Sequence, residues 1–402
     1  MNDRWATALL RDLCAIYSPS GNESEAVSFL VSRAAEAGLK ASTDGAGNFV
    51  AERGEGQTSI VLLGHIDTVE GFIPPTITNG RLYARGAVDA KGPLATFVTA
   101  TAQATIPEGV RVIVIGAVEE EAPSSKGAHY VCGRYQPAAA IIGEPSGISG
   151  ITTGYKGRMS LSLVGQQSHA HSAAKSRSVA ARAAEWWTRL EEYFDHRNTN
   201  RPLFDCLDSH LTEFHTSTDG FTDRVDLHGS LRLPLGAPID ELRHRLTTLS
   251  NGWGTVSLGD YIPPFRSDRK NRLVGALIRS IREESIEPSF KLKTGTSDMN
   301  IVGPAWQCPI VAYGPGDSQL DHAPDEHVAL DEYLKAVRIL TRVLGSRLPC
   351  PPVELRAREQ YHSASTDESN RTAEDREVGK FIAFGPGLRR SIGTGRWPPR
   401  KQ

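Results

Sequence analysis

Five short segments of this chain place histidine or acidic side chains just past apolar runs or Gly-bounded turns. His65 and Asp67 follow the run Ile60-Val61-Leu62-Leu63, and Asp89 closes the loop Arg85-Gly86-Ala87-Val88-Asp89 ahead of a helical stretch. Glu119-Glu120-Glu121 follows the apolar run 110–115, and Gly143-Glu144-Pro145 follows 138–142. Asp321-His322 comes late in the chain. In an extended segment residues i and i+2 face the same side, so His65 and Asp67 can converge. Any one of these pieces alone is ordinary surface chemistry. Together and in order, they offer two histidines and three carboxylates, one able to bridge. Those are the hard nitrogen and oxygen donors that a pair of zinc-like ions needs.

The elements that must position these groups are legible in the pattern around them. The apolar runs are bounded by Gly or Pro and alternate with helical segments such as 91–105, which is the texture of an α/β layer with buried strands. Ligands gather at the strand ends of such a sheet. Apolar spacing predicts amphipathic helices over 3–16 and 23–38, the second preceded by Ser20 and Glu23 at capping-box spacing. Near Thr152 the texture changes. A strand at 157–164, a helix at 177–194, strands near 209–216 and 224–233, a helix at 239–249 and a strand at 254–260 give a βαββαβ order, suited to a small α+β domain. The α/β character then returns with a helix at 271–284, a strand at 309–313 and a closing helix at 328–346. The expected division is therefore a metal-binding domain of 1–152 plus 265–350, interrupted by an inserted domain at 153–264. Residues 351–402 read as a polar, solvated tail.

Composition narrows the function. The 402 residues are 39% hydrophobic and 23% charged with a formal net charge of -2, which suits a globular protein and not a broadly basic nucleic-acid binder. No apolar run approaches the ~18 residues of a membrane span, and the opening segment lacks the pattern of an export signal. No Gly-rich phosphate loop follows a strand. Five scattered cysteines, none in a CxxC pair, fit a reducing compartment, and cytoplasm is the expected location.

On these motifs the chain resembles the co-catalytic zinc aminoacylase and carboxypeptidase family, which includes acetylornithine deacetylase and succinyl-diaminopimelate desuccinylase. The likeness spans about residues 5–348. It implies a zinc-peptidase-like catalytic domain, with a mixed sheet flanked by helices, and an inserted domain serving as lid and dimerisation surface. It implies His65 and Glu144 on one metal, Glu121 and His322 on the other, and Asp89 bridging, with Asp67 orienting His65. Glu120 is then the general base. The triplet leaves Glu119/Glu120 open as an alternative register to Glu120/Glu121. Zinc is the expected ion, with cobalt or manganese also accepted by such donors.

The resemblance extends to the substrate side. Gly165-Gln166-Gln167-Ser168-His169 is similar to an element whose histidine polarises the scissile carbonyl, with His171 the rival. Gly295-Thr296-Ser297-Asp298 resembles a substrate-binding loop, in which Asp298 has the alternative role of capping the following helix. Arg232 resembles a recurring lid arginine, with a structural arginine at the core edge as the other reading. The wording of the motifs, including Thr153-Gly154-Tyr155-Lys156-Gly157-Arg158, is similar to the branch that releases lysine or ornithine from the terminal glutamate of an acidic amino-group carrier protein, in lysine or arginine biosynthesis. Lys156, Arg158, Lys175 and Arg177 are candidates for a basic rim toward that carrier, with ordinary surface lysines and arginines as the other reading. A small-molecule deacylase or dipeptidase with the same metal chemistry is the alternative, and a non-catalytic binding protein is the alternative from another class. A homodimer is implied, with neither nucleic acid nor membrane as partner.

Overall fold

The computed structural model describes residues 2–346 and Leu348, apart from Ser172 and Ala174, so the tail at 351–402 lies outside the described residues. Its centre follows from the apolar runs. Ile60 to Leu63 and Val112 to Ile115 are buried on both faces, so neither run alternates with polar residues. Strand Thr58–His65 pairs in parallel with Val110–Ala117 on one side and Ala139–Gly143 on the other. Ile60, Leu62, Val112 and Val114 feed one core, while Val61, Leu63, Ile113 and Ile115 feed a second on the opposite face. A period of two thus divides one continuous apolar run between two layers.

Among the described residues these strands belong to a nine-stranded mixed sheet. Its path runs Lys40–Thr43, Phe49–Arg53, Val110–Ala117, Thr58–His65, Ala139–Gly143, Ile310–Ala312, Gly150–Tyr155 and Phe265–Arg266, with Ser289–Lys293 also paired to Gly150–Tyr155. Helix Lys91–Gln103 is buried from Lys91 to Ala102, packed against helices Asp3–Ala15 and Leu330–Gly345 as well as the sheet. Helices Lys126–Cys132 and Met299–Trp306 pack on the other face.

The segment between 157 and 262 forms a separate antiparallel sheet in the order Asp208–Thr218, Thr222–Leu233, Gly157–Ser168, Gly254–Ile262. Helices Val179–Asn198 and Ile239–Ser250 cover it, and Leu161, Leu163, Trp186, Leu227 and Leu246 belong to its own core. The βαββαβ order matches the sequence reading. The boundary expected at 153 falls inside strand Gly150–Tyr155 of the large sheet. That strand has no apolar run, being Gly-Ile-Thr-Thr-Gly-Tyr, yet it is wholly buried.

The capping-box reading of Ser20 and Glu23 does not hold. Helix Ser24–Glu36 has no side-chain cap, and both residues turn toward the strand-end loops instead.

One electrostatic clasp joins the two helices that frame the back of the sheet. Glu284, just past helix Arg272–Glu283, accepts from Arg338 Nη2 at 2.9 Å and from Arg342 Nη2 at 2.6 Å. Arg338, with Arg342 behind it, holds the Glu284 carboxyl down to about 2, against the upward push of burial. A depressed carboxylate stabilises the fold above its unfolded pKa and loses that contribution as pH falls through the folded one. Glu284→Gln should therefore lower stability by on the order of 1 kcal/mol at neutral pH. In thermal melts the gap to the parent should close between about pH 4.5 and 2. A gap that persists unchanged at pH 2 would show that packing, not the charge, carries the effect.

Candidate active site

The strand Thr58–His65 ends by delivering His65 into the core at 1% exposure. Two residues later the fully buried Asp67 carboxylate accepts from Ser20 Oγ at 2.7 Å, from the Glu120 amide at 3.1 Å and from the Glu121 amide at 3.0 Å. His65 Nδ1 lies 3.4 Å from the same carboxylate. Burial alone would raise the Asp67 carboxyl, but the hydrogen bonds and charge of His65, with Ser20 and the Glu121 amide, hold it below its ordinary value. Glu23 Oε1 completes this layer by accepting from the Gly21 and Glu119 amides.

Asp89 presents one oxygen to each histidine. His65 Nε2 is 3.1 Å from Oδ1, and His322 Nε2 is 3.1 Å from Oδ2. His322 Nε2 is also 2.9 Å from Glu121 Oε1. Burial opposes ionisation of Asp89, yet the two imidazoles keep it far below the usual carboxylate range, and Asp89 and Glu121 in turn push His322 up to about 10. Both loops are set by a buried ion pair. Glu326 Oε1 accepts from the Val88 and Asp89 amides, while Oε2 is 2.8 Å from Arg85 Nη1. Arg85 also donates to the carbonyls of Gly71, His322 and Ala323. Sequence reasoning missed this pair, although Arg85 stood in the quoted loop and Glu326 four residues past His322.

The acidic triplet divides by direction. Glu119 has a left-handed φ of 56° and turns to Ser124 Oγ and Lys126 Nζ, whereas Glu120 and Glu121 line the cavity. His322, at φ 61°, is likewise held in this sparsely populated region, where strained backbone at a site is common. Glu144 follows strand Ala139–Gly143 and enters the same cavity. Burial first, and the neighbouring carboxylates after it, push Glu120 and Glu144 well above the ordinary value, with His65 pulling both down.

The donor set fits a metal. One ligand atom each from His65, Asp89 and Glu121 lies within 4.8 Å of the others, somewhat wider than the ~4 Å that ligands ~2 Å from a common ion span, so modest side-chain movement would close the set. Glu144 and His322 extend the set with one further carboxylate and imidazole at the same cavity.

The cavity has a volume of about 930 Å³. Its lining is acidic at Asp89, Glu120, Glu121, Glu144 and Asp321 and basic at Arg158, Arg232, Lys291 and Lys293. Gly295, Thr296 and Ser297 line it as well, and Arg232 Nη1 donates to Thr296 Oγ1 at 3.1 Å, joining the four-stranded sheet to that loop. Burial and Arg158 depress the Arg232 pKa. His169 is not among the lining residues; it is about half exposed, with Nδ1 2.8 Å from Asp223 Oδ1, and His171 is also exposed.

Two expectations fail here. Lys156 is no rim residue, since it is fully buried and donates to Cys206 O and Asp208 Oδ2. Of the expected rim only Arg158 lines the cavity; Arg177 pairs with Glu185, and Lys291 and Lys293 take the place of the rest. Asp298 makes no capping bond to helix Met299–Trp306 and is buried instead, its pKa raised to about 7 first by burial. Lys291 and Lys293 escaped notice because Ser-Phe-Lys-Leu-Lys reads as an ordinary exposed alternation.

Comparison with known proteins agrees with this geometry. The chain is 40% identical over 348 residues to a LysW-lysine hydrolase from Deinococcus radiodurans, covering 84% of this chain and 96% of that protein. It is 31% identical over 334 residues to a LysW-lysine/LysW-ornithine hydrolase from Saccharolobus islandicus, covering 83% and 93%. A tripeptidase from Staphylococcus aureus superposes with a TM-score of 0.72 at 19% identity, over 86% of this chain and 98% of that one. A dinuclear metal-binding peptidase from Bacillus subtilis superposes with a TM-score of 0.64 at 14% identity, over 87% and 100%. The description Peptidase family M20/M25/M40 matches residues 61–346, and the chain belongs to that family.

Proposed function

We propose that this enzyme hydrolyses the amide that joins the α-amino group of lysine, or of ornithine, to the terminal glutamate of an acidic amino-group carrier protein. The observation that carries this reading is the mixed charge of one large cavity. Five carboxylates, Asp89, Glu120, Glu121, Glu144 and Asp321, share its lining with four cations, Arg158, Arg232, Lys291 and Lys293. A volume of about 930 Å³ sits at the upper end for small-molecule sites, which suits a protein tail entering with its amino acid. The similarity to a LysW-lysine hydrolase and a LysW-lysine/LysW-ornithine hydrolase supports the same substrate.

His65 and Glu144 would hold one metal and Glu121 and His322 the other, with Asp89 bridging through the two oxygens that now face the two imidazoles. Zinc suits these donors, and cobalt or manganese would also be accepted. When bound, such ions polarise a carbonyl and lower the pKa of water. Glu120 takes a proton from the attacking water as its oxygen bonds to the carbonyl carbon. The carbon–nitrogen bond then breaks, and Glu120 returns the proton to the leaving amine. The turn of Glu119 toward Ser124 and Lys126 supports the Glu120/Glu121 register. Asp67, hydrogen bonded to the amides of Glu120 and Glu121, orients both those residues and His65. Arg232 and the Gly295-Thr296-Ser297 loop would hold the amino-acid carboxylate.

Residues 153–264 would act as lid and dimerisation domain on a catalytic body of 1–152 plus 265–350. The exposed edge strand Asp208–Thr218 supports a homodimer built on that domain. His169 would then serve the partner's site. Among the described residues no helix is long and apolar enough to cross a membrane. Cytoplasm is the proposed location.

Amino-acid release, followed by mass spectrometry in a zinc- or cobalt-supplemented reaction, tests the substrate. Chelator-sensitive release from carrier bearing glutamyl-lysine or glutamyl-ornithine is expected. Release from free acetylornithine or dipeptides but not from the carrier would transfer the chemistry to a small-molecule deacylase. Glu120→Gln should keep its metal and lose about 10²–10⁴-fold in kcat. Near-parent turnover in that variant would remove Glu120 as base. His322→Ala should lower metal content measured by elemental analysis, and an unchanged content would strike it from the ligand set.

A further inference from the structure

We propose that the hydroxyl of Tyr155 is a catalytic hydrogen-bond donor within this chain's own cavity, stabilising the oxyanion that forms on the scissile carbonyl. The inference rests on the hydrolytic reading above. Tyr155 ends strand Gly150–Tyr155, and its backbone is fixed between Lys293 on one side and Phe265 on the other. The residue is 2% exposed and its ring belongs to the core formed with Met299, Val302 and Trp306, so the side chain has one available direction. That direction brings it to the wall of the catalytic cavity.

At the cavity the hydroxyl is buried and makes no well-formed hydrogen bond, Ser297 being the one side chain that interacts with it as a weak hydrogen-bond neighbour. Leaving a buried hydroxyl unsatisfied costs about 1–3 kcal/mol, which phenylalanine in the same place would avoid. Its neighbours give the oxygen a function. Glu144 acts on it through its charge and Ser297 as a weak hydrogen-bond neighbour, and both line the cavity, one beside the proposed metal centre and the other in the loop proposed to hold the amino-acid carboxylate. An amide bound between those two groups places its carbonyl oxygen next to the phenol. Tyrosine is neutral and donating at pH 7, so the phenol keeps its proton through the reaction and no bond to it is made or broken.

His169 sharpens the point. This chain's own imidazole lies outside the cavity lining and is engaged with Asp223, so Tyr155 supplies a donor that needs no second subunit. A preorganised donor of this kind is worth about 10²–10³ in kcat.

The test is Tyr155→Phe in the metal-loaded full chain, read by kcat, KM, metal content and Tm. The expected result is a fall in kcat of about 10² or more with KM within about threefold, unchanged metal content, and a Tm equal to or above the parent's. A merely structural hydroxyl would leave kcat alone. Parent-like kcat overturns the inference, as does a loss confined to KM, which would assign the hydroxyl to ground-state binding. Loss of Tm or of metal together with kcat also overturns it. A parent enzyme inert on every amide overturns the hydrolytic reading and this inference with it, whereas an active parent with an unaffected variant overturns the inference alone.

Discussion

A single buried carboxylate, that of Asp67, organises the catalytic end of the sheet. It ties together three segments, the turn at Ser20, the strand end at His65 and the loop that carries Glu120 and Glu121. A carboxylate with no solvent exposure is tolerable only when its oxygens are fully hydrogen bonded. The demand works in both directions, because the amides that satisfy Asp67 belong to the residues that must point into the cavity. Glu326 applies the same logic on the other side, where it accepts from the Val88 and Asp89 amides and neutralises Arg85. Two buried carboxylates that contact no substrate therefore aim most of the groups that would.

This division explains what the sequence could and could not reveal. His65, Glu120, Glu121 and Glu144 were legible as candidates because an α/β sheet concentrates ligands at its strand ends and apolar runs mark those ends, whereas Asp89 and His322 sit in turns and were picked out by the family resemblance. The central strands were legible for the same reason. Strand Gly150–Tyr155 was not, since its burial comes from neighbours on both sides and not from its own Gly- and Thr-rich composition. Ser20 and Glu23 illustrate a different failure. Their spacing satisfies a local rule for helix starts, but partners 47 and 96 residues away outcompete it. Lys156 fails in the same way, since a lysine beside cavity residues reads as a rim cation until Asp208 draws it inward.

The cavity's charge pattern follows from the two sheets. Glu120, Glu121 and Glu144 follow strands of the nine-stranded sheet, whereas Arg158 and Arg232 lie directly opposite each other on neighbouring strands of the four-stranded sheet. Lys291 and Lys293 add to the lining from Ser289–Lys293 at the sheet margin. Like charges on adjacent strands are unfavourable in isolation. Asp208, directly opposite Arg232 on its other neighbouring strand, supplies counter-charge, and the Arg232–Thr296 hydrogen bond holds that guanidinium toward the loop.

The long reach of the site's contacts also governs when the site comes into being. Arg85 meets Glu326 across 241 positions and His322 meets Glu121 across 201, so the donor set gains its late histidine, and Asp89 its buried support, only when the C-terminal part of the chain has joined the rest. Closing loops of that length is entropically unfavourable until much of the sheet exists, which places assembly of the site late in the folding sequence. Arrival of His322 beside Asp89 and Glu121 would therefore mark completion of the fold.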